Sequence, residues 1–185
     1  MSASRDLKLV VLDRDGTINR DSANYIKSAA EWKALPHSLE AIAQLCHAGW
    51  TVCVASNQSG IGRGLFTIVD LHEIHAKMQS EIESFGGHIA GFYFCPHTPD
   101  DDCDCRKPKP GLLHEIAARF GVDMTDVPVI GDSERDLQAA EAVGARPILV
   151  RTGNGRRELR EHYKDGEVEV YGDLAAAVSA LLAEE

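Results

Sequence analysis

The chain of 185 residues is long enough for one domain with a small insertion, but not for a second hydrophobic core. Its composition, 44% hydrophobic and 26% charged, is typical of a globular protein, and no apolar run approaches the ~20 residues that a membrane span needs. The formal net charge of -10 argues against a broad nucleic-acid surface, which requires a basic face. Because the start is short and polar rather than a signal peptide, we expect a single cytoplasmic domain over residues 1–185.

Buried strands and amphipathic helices alternate along the chain. A strand at 8–12 precedes a helix at 38–48 and a strand at 51–55, and a helix that Thr67 caps and Gly86-Gly87 ends precedes a strand at 91–95. Next come a helix at 111–120, a strand at 127–130, a helix at 134–143 and a strand at 147–150. The last pair is a strand at 168–170 and a helix at 174–182. Repeated strand–helix units of this kind predict an α/β fold with a parallel sheet covered by helices.

Two aspartates directly after the first predicted strand are the first candidate catalytic residues. Asp13 and Asp15 can both point into a crevice once the strand gives way to a loop, and Gly16 permits a turn there. Because neighbouring carboxylates repel, we expect a cation to hold one of them ionised while the other keeps a raised pKa. That division would supply a nucleophile and a general acid. The alternative is an ordinary turn rich in Asp and Gly.

Two further polar segments suit a negatively charged ligand. The run Ser56-Asn57-Gln58-Ser59-Gly60 follows the second strand, and its hydroxyl, amide and N–H groups suit an anion. Lys107 lies between a predicted loop and a helix start in a segment stiffened by proline, where it can neutralise a phosphoryl group. Each has a plain alternative, since the first can be a helix cap or turn and the second a solvated basic run.

An acidic segment follows the strand at 127–130. Asp132 can join Asp13 in an oxygen-rich Mg²⁺ site, and Asp136 can orient a neighbour or a metal-bound water. Taken alone, Asp132 is equally compatible with a helix N-cap. Parallel sheets bind ligands beyond the carboxyl ends of their strands, which is where most of these segments lie. Together they predict a nucleophile, an anion cradle, a cation and a metal ligand in one place.

A second metal site is predicted in the loop at residues 95–105. Four soft ligands occur there as a Cys-x-His pair and a Cys-x-Cys pair, namely Cys95, His97, Cys103 and Cys105. Four N/S ligands with no open position describe a closed, structural Zn²⁺ site. The odd total of five cysteines argues against a disulfide framework, and free thiols or redox chemistry are the remaining alternatives. We expect the zinc to stiffen the loop that leads into Lys107.

The order of these motifs resembles that of the haloacid dehalogenase-like (HAD) phosphatase superfamily. Four motifs carry the resemblance: Asp13-x-Asp15-Gly16-Thr17, Ser56-Asn57, Lys107 and Gly131-Asp132. They span nearly the whole chain. The resemblance implies a three-layer, Rossmann-like sheet and Mg²⁺-dependent hydrolysis of a phosphate ester through an aspartyl-phosphate intermediate.

The resemblance also implies a role for each motif. Asp13 would attack phosphorus and bind Mg²⁺ through its carboxylate. Asp15 would protonate the leaving alkoxide and then activate water, and its backbone carbonyl would bind the metal. Ser56 and Lys107 would hold phosphoryl oxygens, and Asp132 would bind Mg²⁺. The intact carboxylates and lysine argue against a non-catalytic binding protein. A phosphomutase would need a shielding cap for which the chain has no room.

Two families of this superfamily share the zinc loop with this chain. Residues 16–19, 56–64 and 149–153 resemble the D-glycero-D-manno-heptose 1,7-bisphosphate 7-phosphatases, whereas the compact loop at 95–109 is at least as similar to the histidinol-phosphate phosphatases. The first resemblance implies removal of the 7-phosphate, with the β anomer favoured, in ADP-heptose and lipopolysaccharide-core biosynthesis. The second, in histidine biosynthesis, is the alternative.

Without a large cap domain, loops must define access to the site. The candidate substrate-binding residues for a small phosphorylated sugar are Asp21, Asn24, Asn57, Gln58, Ser59, Arg63, Arg106 and Lys109. Among them, Arg63, Arg106 and Lys109 are the candidates for a second phosphate, because Arg binds phosphate through two hydrogen bonds. We expect catalytic Mg²⁺, structural Zn²⁺, a monomer, and neither nucleic acid nor membrane as a partner.

Overall fold

The computed structural model describes residues 7–164 and 166–184, which form a six-stranded sheet. Its strands are β1 Leu9–Leu12, β2 Thr51–Asn57, β3 Gly91–Cys95, β4 Pro128–Gly131, β5 Arg146–Val150 and β6 Glu169–Tyr171. They lie in the order β3-β2-β1-β4-β5-β6, and all neighbours run parallel. The order reverses between β1 and β4, so the crevice for a ligand opens at the carboxyl ends of these two strands.

Helices cover both faces of the sheet. They are α1 Ser38–His47, α2 Ser59–Gly62, α3 Ile68–Ser84, α4 Gly111–Phe120, α5 Glu134–Glu141, α6 Gly155–His162 and α7 Leu174–Ala183. Alternate residues of β1 enter two cores: Val10 and Leu12 pack with α1, α3 and α7, while Leu9 and Val11 pack with α4 and α5. Each buried side chain of this size contributes roughly 1.5–3 kcal/mol relative to exposure. The predicted three-layer α/β fold is confirmed, and Asp13 directly follows β1, a central strand that is buried on both faces.

The predicted strands and long helices all form; β3 and α4 have the predicted bounds, and the ends of the others are shifted. β2 extends two residues beyond the predicted 51–55, so Ser56 and Asn57 belong to the strand and pair with Phe94 and Cys95 of β3. Two helices, α2 and α6, were not predicted. α2 has a single turn, which is too short to show periodicity, and α6 is mostly charged and lacks an apolar stripe.

A long connection at residues 13–37 joins β1 to α1 beside the crevice. It is anchored by Trp32 and Ile18, which are fully buried, and by Lys77 of α3, whose amine donates to the carbonyl oxygens of Ala29 and Trp32 at 2.9 and 3.0 Å. Within the described part of the chain, no insertion is large enough to form a cap domain, as predicted. Over the same ranges, none of the helices has the length and apolar character that crossing a membrane requires.

Candidate active site

Lys107 forms the centre of the site at the carboxyl ends of β1, β2 and β4. Its amine donates to Oδ1 of Asp13 at 2.7 Å, to the carbonyl oxygen of Ala55 at 2.7 Å, and to Oδ1 of Asp136. These acceptors use all three N–H groups of the ammonium. Burial lowers the pKa of Lys107, but Asp13 and Asp136 outweigh this and raise it above its ordinary value. A rigidly held positive charge therefore lies against the carboxylate of Asp13.

Asn57 fixes the loop that carries Lys107. Its amide nitrogen donates to the carbonyl oxygen of Lys107, and its amide oxygen accepts from the Lys107 N–H, both at 3.0 Å. Asn57 ends β2, so the lysine is tied directly to the sheet. We predicted a contact with substrate for Asn57. Asn57 lines the cleft, and both of its polar side-chain atoms are engaged by loop backbone, so it also supports Lys107. Its contact with substrate stays a prediction.

Asp132 follows β4 and is locked in place by the loop after β5. Its Oδ2 accepts from the N–H of Asn154 at 2.7 Å and from the Asn154 amide at 3.2 Å. Gly16 and Gly153 allow this close approach: a Cβ at either position would overlap Oδ2 of Asp132, and both have a positive φ, +83° and +53°. Three loops therefore interlock around this one carboxylate.

The carboxylates of Asp13, Asp132 and Asp136 each place an oxygen within 4.8 Å of the others. Burial and the charges of Asp136 and Asp15 raise the pKa of Asp13 to about 7, although Lys107 opposes them. Burial, Asp13 and Asp136 raise the pKa of Asp132 to about 8. Crowded, buried carboxylate oxygens are the ligand set that a hard divalent cation such as Mg²⁺ prefers. The residues present therefore fit the expected Mg²⁺.

Two of these three carboxylates are better placed as ligands than the third. Asp136 is committed on both oxygens, because Lys107 donates to Oδ1, while the N–H and hydroxyl of Ser133 donate to Oδ2 at 3.1 and 2.6 Å. Lys107 contacts only Oδ1 of Asp13, and Asn154 contacts only Oδ2 of Asp132. The other oxygens of Asp13 and Asp132 remain for a metal.

Asp15 is held by donors from three side chains. Nε and Nη2 of Arg14 reach its oxygens at 2.9 to 3.2 Å, and the amides of Asn19 and Gln58 donate to Oδ1 and Oδ2 at 2.9 Å. Burial alone would raise the pKa of Asp15. The charge of Arg14 and these hydrogen bonds outweigh burial and lower the pKa below its ordinary value.

Without a bound divalent cation, the two aspartates differ in pKa as expected, but the raised value falls on the other member of the pair. We expected the general acid to carry the raised pKa, and by resemblance that acid is Asp15. In the structure Asp13 has the raised pKa, and Asp15 is the carboxylate that a cation holds ionised. The reason is Arg14, a fully buried guanidinium that turns back onto the side chain of its neighbour.

A cleft of about 410 Å³ lies over these carboxylates, a size that suits a small ligand. The predicted substrate-binding residues that line it are Asp21, Asn57, Gln58, Ser59, Arg63 and Arg106. Arg106 also donates to the carbonyl oxygen of His97 at 3.3 Å. Ser56, which is 1% exposed, is not among the lining residues. Its hydroxyl oxygen accepts from the amide of Gln58, a residue that does line the cleft, at 2.6 Å.

Two predicted substrate residues lie outside this cleft. Asn24 lines a separate surface hollow. Lys109 lines an adjoining cleft and pairs with Asp102 at 2.8 Å. Of the three cations predicted to bind a second phosphate, only Arg63 and Arg106 line the cleft over Asp13.

Several residues of the site were missed from the sequence. Arg135 lines both the cleft over Asp13 and the adjoining one, and Asn154 lines the former. Asn154 follows β5, so the rule that identified the other strand ends would have found it. Asp136 was predicted to orient a neighbour or a metal-bound water, and it does accept from Lys107. Its second place, in the capping box Ser133-x-x-Asp136 that starts α5, was missed and could have been recognised. No sequence pattern marks Arg14.

The four predicted zinc ligands meet in one cluster. The sulfurs of Cys95, Cys103 and Cys105 and Nδ1 of His97 lie within 4.8 Å of one another. The Cys103 sulfur is 3.6 Å from that of Cys95 and 3.5 Å from that of Cys105. Tetrahedral Zn–S bonds of ~2.3 Å place sulfurs roughly 3.8 Å apart, so the spacing fits one Zn²⁺. It is too long for a disulfide, whose sulfurs are ~2.05 Å apart.

The zinc cluster adjoins the catalytic loops. The carbonyl oxygen of Cys95 accepts from the N–H of Gln58 at 2.7 Å, and that of Pro96 accepts from the N–H of Gly62 at 2.9 Å. The last ligand, Cys105, directly precedes Arg106 and Lys107. A bound zinc would therefore stiffen the backbone that positions both cations.

Known proteins are about half identical to this chain over nearly its full length. Residues 104–177 match the HAD-hydrolase-like family. The D-glycero-beta-D-manno-heptose-1,7-bisphosphate 7-phosphatase of Pseudomonas aeruginosa is 50% identical over 174 residues, which cover 94% of this chain and 97% of that protein. The protein of the same name from Bordetella bronchiseptica is 51% identical over 178 residues, which cover 96% and 99% of the two chains.

Solved structures agree with this relationship. The D,D-heptose 1,7-bisphosphate phosphatase from B. bronchiseptica, complexed with magnesium and phosphate, matches with a TM-score of 0.93 at 50% identity and covers 97% of this chain and 100% of that one. The enzyme from Burkholderia thailandensis matches with a TM-score of 0.74 at 46% identity, over 95% and 99% of the two chains. On this evidence, the chain belongs to the D-glycero-β-D-manno-heptose-1,7-bisphosphate 7-phosphatase family of HAD-like hydrolases.

Proposed function

We propose that this protein hydrolyses the 7-phosphate of D-glycero-β-D-manno-heptose 1,7-bisphosphate, releasing heptose 1-phosphate and inorganic phosphate. The name shared by relatives about half identical over nearly the whole chain supports this substrate. The contact of the Lys107 amine with Asp13, beside Asp132 at the base of the cleft, carries the chemistry. A phosphoryl group bound there would meet a carboxylate nucleophile and a fixed cation.

In this reaction Asp13 attacks the phosphorus. A bond forms between a carboxylate oxygen and phosphorus while the sugar oxygen leaves with the electrons of its P–O bond. This covalent step divides one difficult displacement into two easier ones. Lys107 stabilises the negative charge on the phosphoryl oxygens, and Asp13 and Asp132 are the residues that would hold the Mg²⁺. When bound, Mg²⁺ supplies the additional positive charge that a phosphoryl group needs.

Asp15 handles the protons of both steps in this proposal. It gives a proton to the leaving sugar oxygen and then takes one from the water that attacks the acyl phosphate. Arg14, Asn19 and Gln58 favour its ionised form in the free enzyme. That form is the one that the water-activating step requires, so Asp15 must carry its proton when substrate is bound for the first step.

The phosphate that is not cleaved would bind near Arg63 and Arg106. Both line the cleft, and a guanidinium binds phosphate through paired hydrogen bonds. Asp21 and Ser59 would face sugar hydroxyls. All of these residues come from one chain, so a monomer suffices for the reaction.

The test is phosphate release from a panel containing both heptose bisphosphate anomers, histidinol phosphate and an aryl phosphate, with Mg²⁺ and with EDTA. We expect Mg²⁺-dependent release, fastest from the β anomer. Faster release from histidinol phosphate than from either anomer would reject the proposed substrate. Arg106→Ala should raise KM for the bisphosphate at least ~10-fold more than for the aryl phosphate, since a charged hydrogen bond is lost only with the former.

A further inference from the structure

The amide of Gln58 joins two side chains with different tasks in the proposed reaction. Its Nε2 donates to Oδ2 of Asp15 at 2.9 Å and to Oγ of Ser56 at 2.6 Å. Its Oε1 accepts from Nη2 of Arg14 at 3.2 Å. Gln58 is 4% exposed and Arg14 is 0% exposed, so these contacts are shielded from water. From the sequence we predicted that Gln58 contacts the substrate. In the structure, its amide nitrogen and oxygen are engaged by other side chains of the protein.

Arg14 fixes the direction of each hydrogen bond in this group. A guanidinium only donates, and an ionised carboxylate only accepts. Gln58 must therefore turn its oxygen to Arg14 and its NH₂ group to Asp15 and Ser56. The reversed amide would set donor against donor at Arg14 and acceptor against acceptor at Asp15. The amide orientation thus follows from chemistry, whatever the assignment of its O and N atoms.

This directionality reaches the hydroxyl of Ser56. Because Oγ of Ser56 accepts from Gln58, the hydroxyl proton is left to donate elsewhere. A phosphoryl oxygen is an acceptor only, so this is the orientation that phosphate binding needs. The same NH₂ group restrains Oδ2 of Asp15. One amide thus sets the geometry of the phosphoryl-binding hydroxyl and of the acid–base carboxylate together.

The guanidinium of Arg14 is buried, and not all of its donors have a partner in the part of the chain that the structure describes. Its Nη1 is buried and has no hydrogen-bond partner among residues 7–164 and 166–184. A buried donor without a partner is unfavourable, and natural chains keep such violations mainly at functional sites. Its other nitrogens face Asp15 and Gln58, which both line the catalytic cleft.

We propose that Arg14 and Gln58 are positioning residues for the hydrolysis. Arg14 orients the amide of Gln58, and Gln58 in turn restrains Asp15 and leaves the proton of Ser56 for a phosphoryl oxygen. This inference rests on the proposed function, which gives Asp15 the proton transfers, and on the phosphoryl contact that the family resemblance implies for Ser56.

Gln58→Glu tests the direction of the hydrogen bonds while keeping the shape of the side chain. A glutamate still accepts from Arg14, but it places an acceptor against Ser56, whose hydroxyl must then donate to it and not to phosphate. It also sets a second carboxylate against Asp15. We expect the inhibition constant of inorganic phosphate, measured with Mg²⁺, to rise at least ~10-fold and kcat to fall by ~100-fold or more.

Gln58→Met separates this role from simple space filling. Methionine fills the volume but neither donates nor accepts strongly, so Ser56 stays free to donate to phosphate. We expect a kcat loss of ~10-fold, smaller than that of Gln58→Glu, because no wrong acceptor is introduced. A residue that only fills space would show the opposite order, since glutamate is the closer match in shape and retains its contact with Arg14.

A double-mutant cycle with Ser56→Ala supplies the second readout. If Gln58 acts through the hydroxyl, Gln58→Glu should change the phosphate inhibition constant no more than ~3-fold once that hydroxyl is gone. Gln44→Glu, at an exposed position of α1, is the matched control and should leave the constant unchanged. Multiplicative effects of the two substitutions, or a larger kcat loss in Gln58→Met than in Gln58→Glu, would overturn the inference.

The design keeps this inference separate from the proposed substrate. Suppose that wild-type protein binds phosphate with Mg²⁺ in calorimetry but releases no phosphate from the heptose bisphosphates. The proposed function then fails, while the double-mutant cycle on phosphate binding still measures the coupling between Gln58 and Ser56. Circular dichroism checks that each variant is folded. If Gln58→Glu does not fold, the kcat of Gln58→Met decides the matter, and an unchanged value contradicts a positioning role.

Discussion

The amine of Lys107 lies 2.7 Å from Oδ1 of Asp13, although the two residues are 94 positions apart in the chain. The contact joins the end of β1 to the segment that follows the zinc ligands. Asp136 completes the group from the start of α5 by accepting from the same amine. The catalytic centre is therefore also a tertiary junction, and substitutions there should change both turnover and stability.

Lys107→Met should lower kcat by about 10²–10³-fold, the usual loss when one donor to a developing anion is removed. It should also lower the free energy of unfolding by about 3–5 kcal/mol, because it leaves buried carboxylates without their cation. Steady-state assays and urea unfolding with Mg²⁺ measure the two effects. Lys109→Met is the matched control: its pair with Asp102 is exposed, so the substitution should leave the free energy of unfolding nearly unchanged. A kcat within threefold of wild type for Lys107→Met would contradict this account.

Without a divalent cation, the protein should become less stable as pH rises from about 6 to about 8.5. Asp132, with a pKa raised to about 8, binds a proton more tightly when folded than when unfolded, so folding loses that contribution as pH rises through this value. In EDTA, wild type should lose on the order of 1 kcal/mol more than Asp132→Asn over this range. Saturating Mg²⁺ should abolish the difference by taking the place of the proton. If the free energy of unfolding had the same pH dependence in wild type and in Asp132→Asn in EDTA, this would argue against a raised pKa in the carboxylate cluster.

His75 should make the protein sensitive to acid in the opposite sense. Burial, followed by the charge of Arg14, lowers its pKa to about 3, and its ring stacks on Phe92 with centroids 4.3 Å apart. The unfolded chain takes up a proton below about pH 6.5, so stability is lost as pH falls from there toward 3. His75→Phe preserves the stacking and should remove on the order of 1–2 kcal/mol of the loss between about pH 7 and 5. Urea unfolding with Mg²⁺ at the two pH values measures this loss of stability for wild type and for His75→Phe. Identical losses would show that His75 does not titrate on unfolding.

Zinc should act on catalysis through the backbone of Lys107. We expect one zinc per chain by elemental analysis, and Cys103→Ser should reduce this content and lower kcat by ~10-fold or more, since a misplaced cation loses part of its stabilising effect. Limited proteolysis should then cut within residues 96–106. Cys46→Ser, a thiol outside the cluster, is the control and should keep its zinc. Loss of zinc with unchanged kcat would separate the cluster from the reaction.

The parts of this structure that depend on residue type and spacing were predictable. Apolar runs predicted all six strands. The polar residue types near the strand ends predicted that Asp13, Lys107 and Asp132 meet in one site, and they do. The ends of the strands were harder to predict. β2 extends through Ser56 and Asn57 because both residues pair with β3, and an apolar pattern contains no information on that pairing.

The directions of individual side chains were not predictable. Arg14 had no assigned task, yet its turn onto Asp15 decides which of the two aspartates has the raised pKa. Gln58 has the residue type of a sugar ligand, and only its surroundings show that its amide is used internally. Lys109 lies two residues from Lys107 but faces Asp102, because a loop can turn neighbouring side chains to different clefts.

The most direct test of the central claim is to trap the covalent intermediate. Enzyme quenched within one turnover of heptose bisphosphate and Mg²⁺ would be reduced with borohydride, which converts an acyl phosphate to an alcohol, and its peptides analysed by mass spectrometry. The account predicts that residue 13 alone is converted to homoserine, and that Asp13→Asn shows no conversion. Rapid phosphate release by wild-type enzyme with no modification at Asp13, or with modification at another carboxylate, would contradict it.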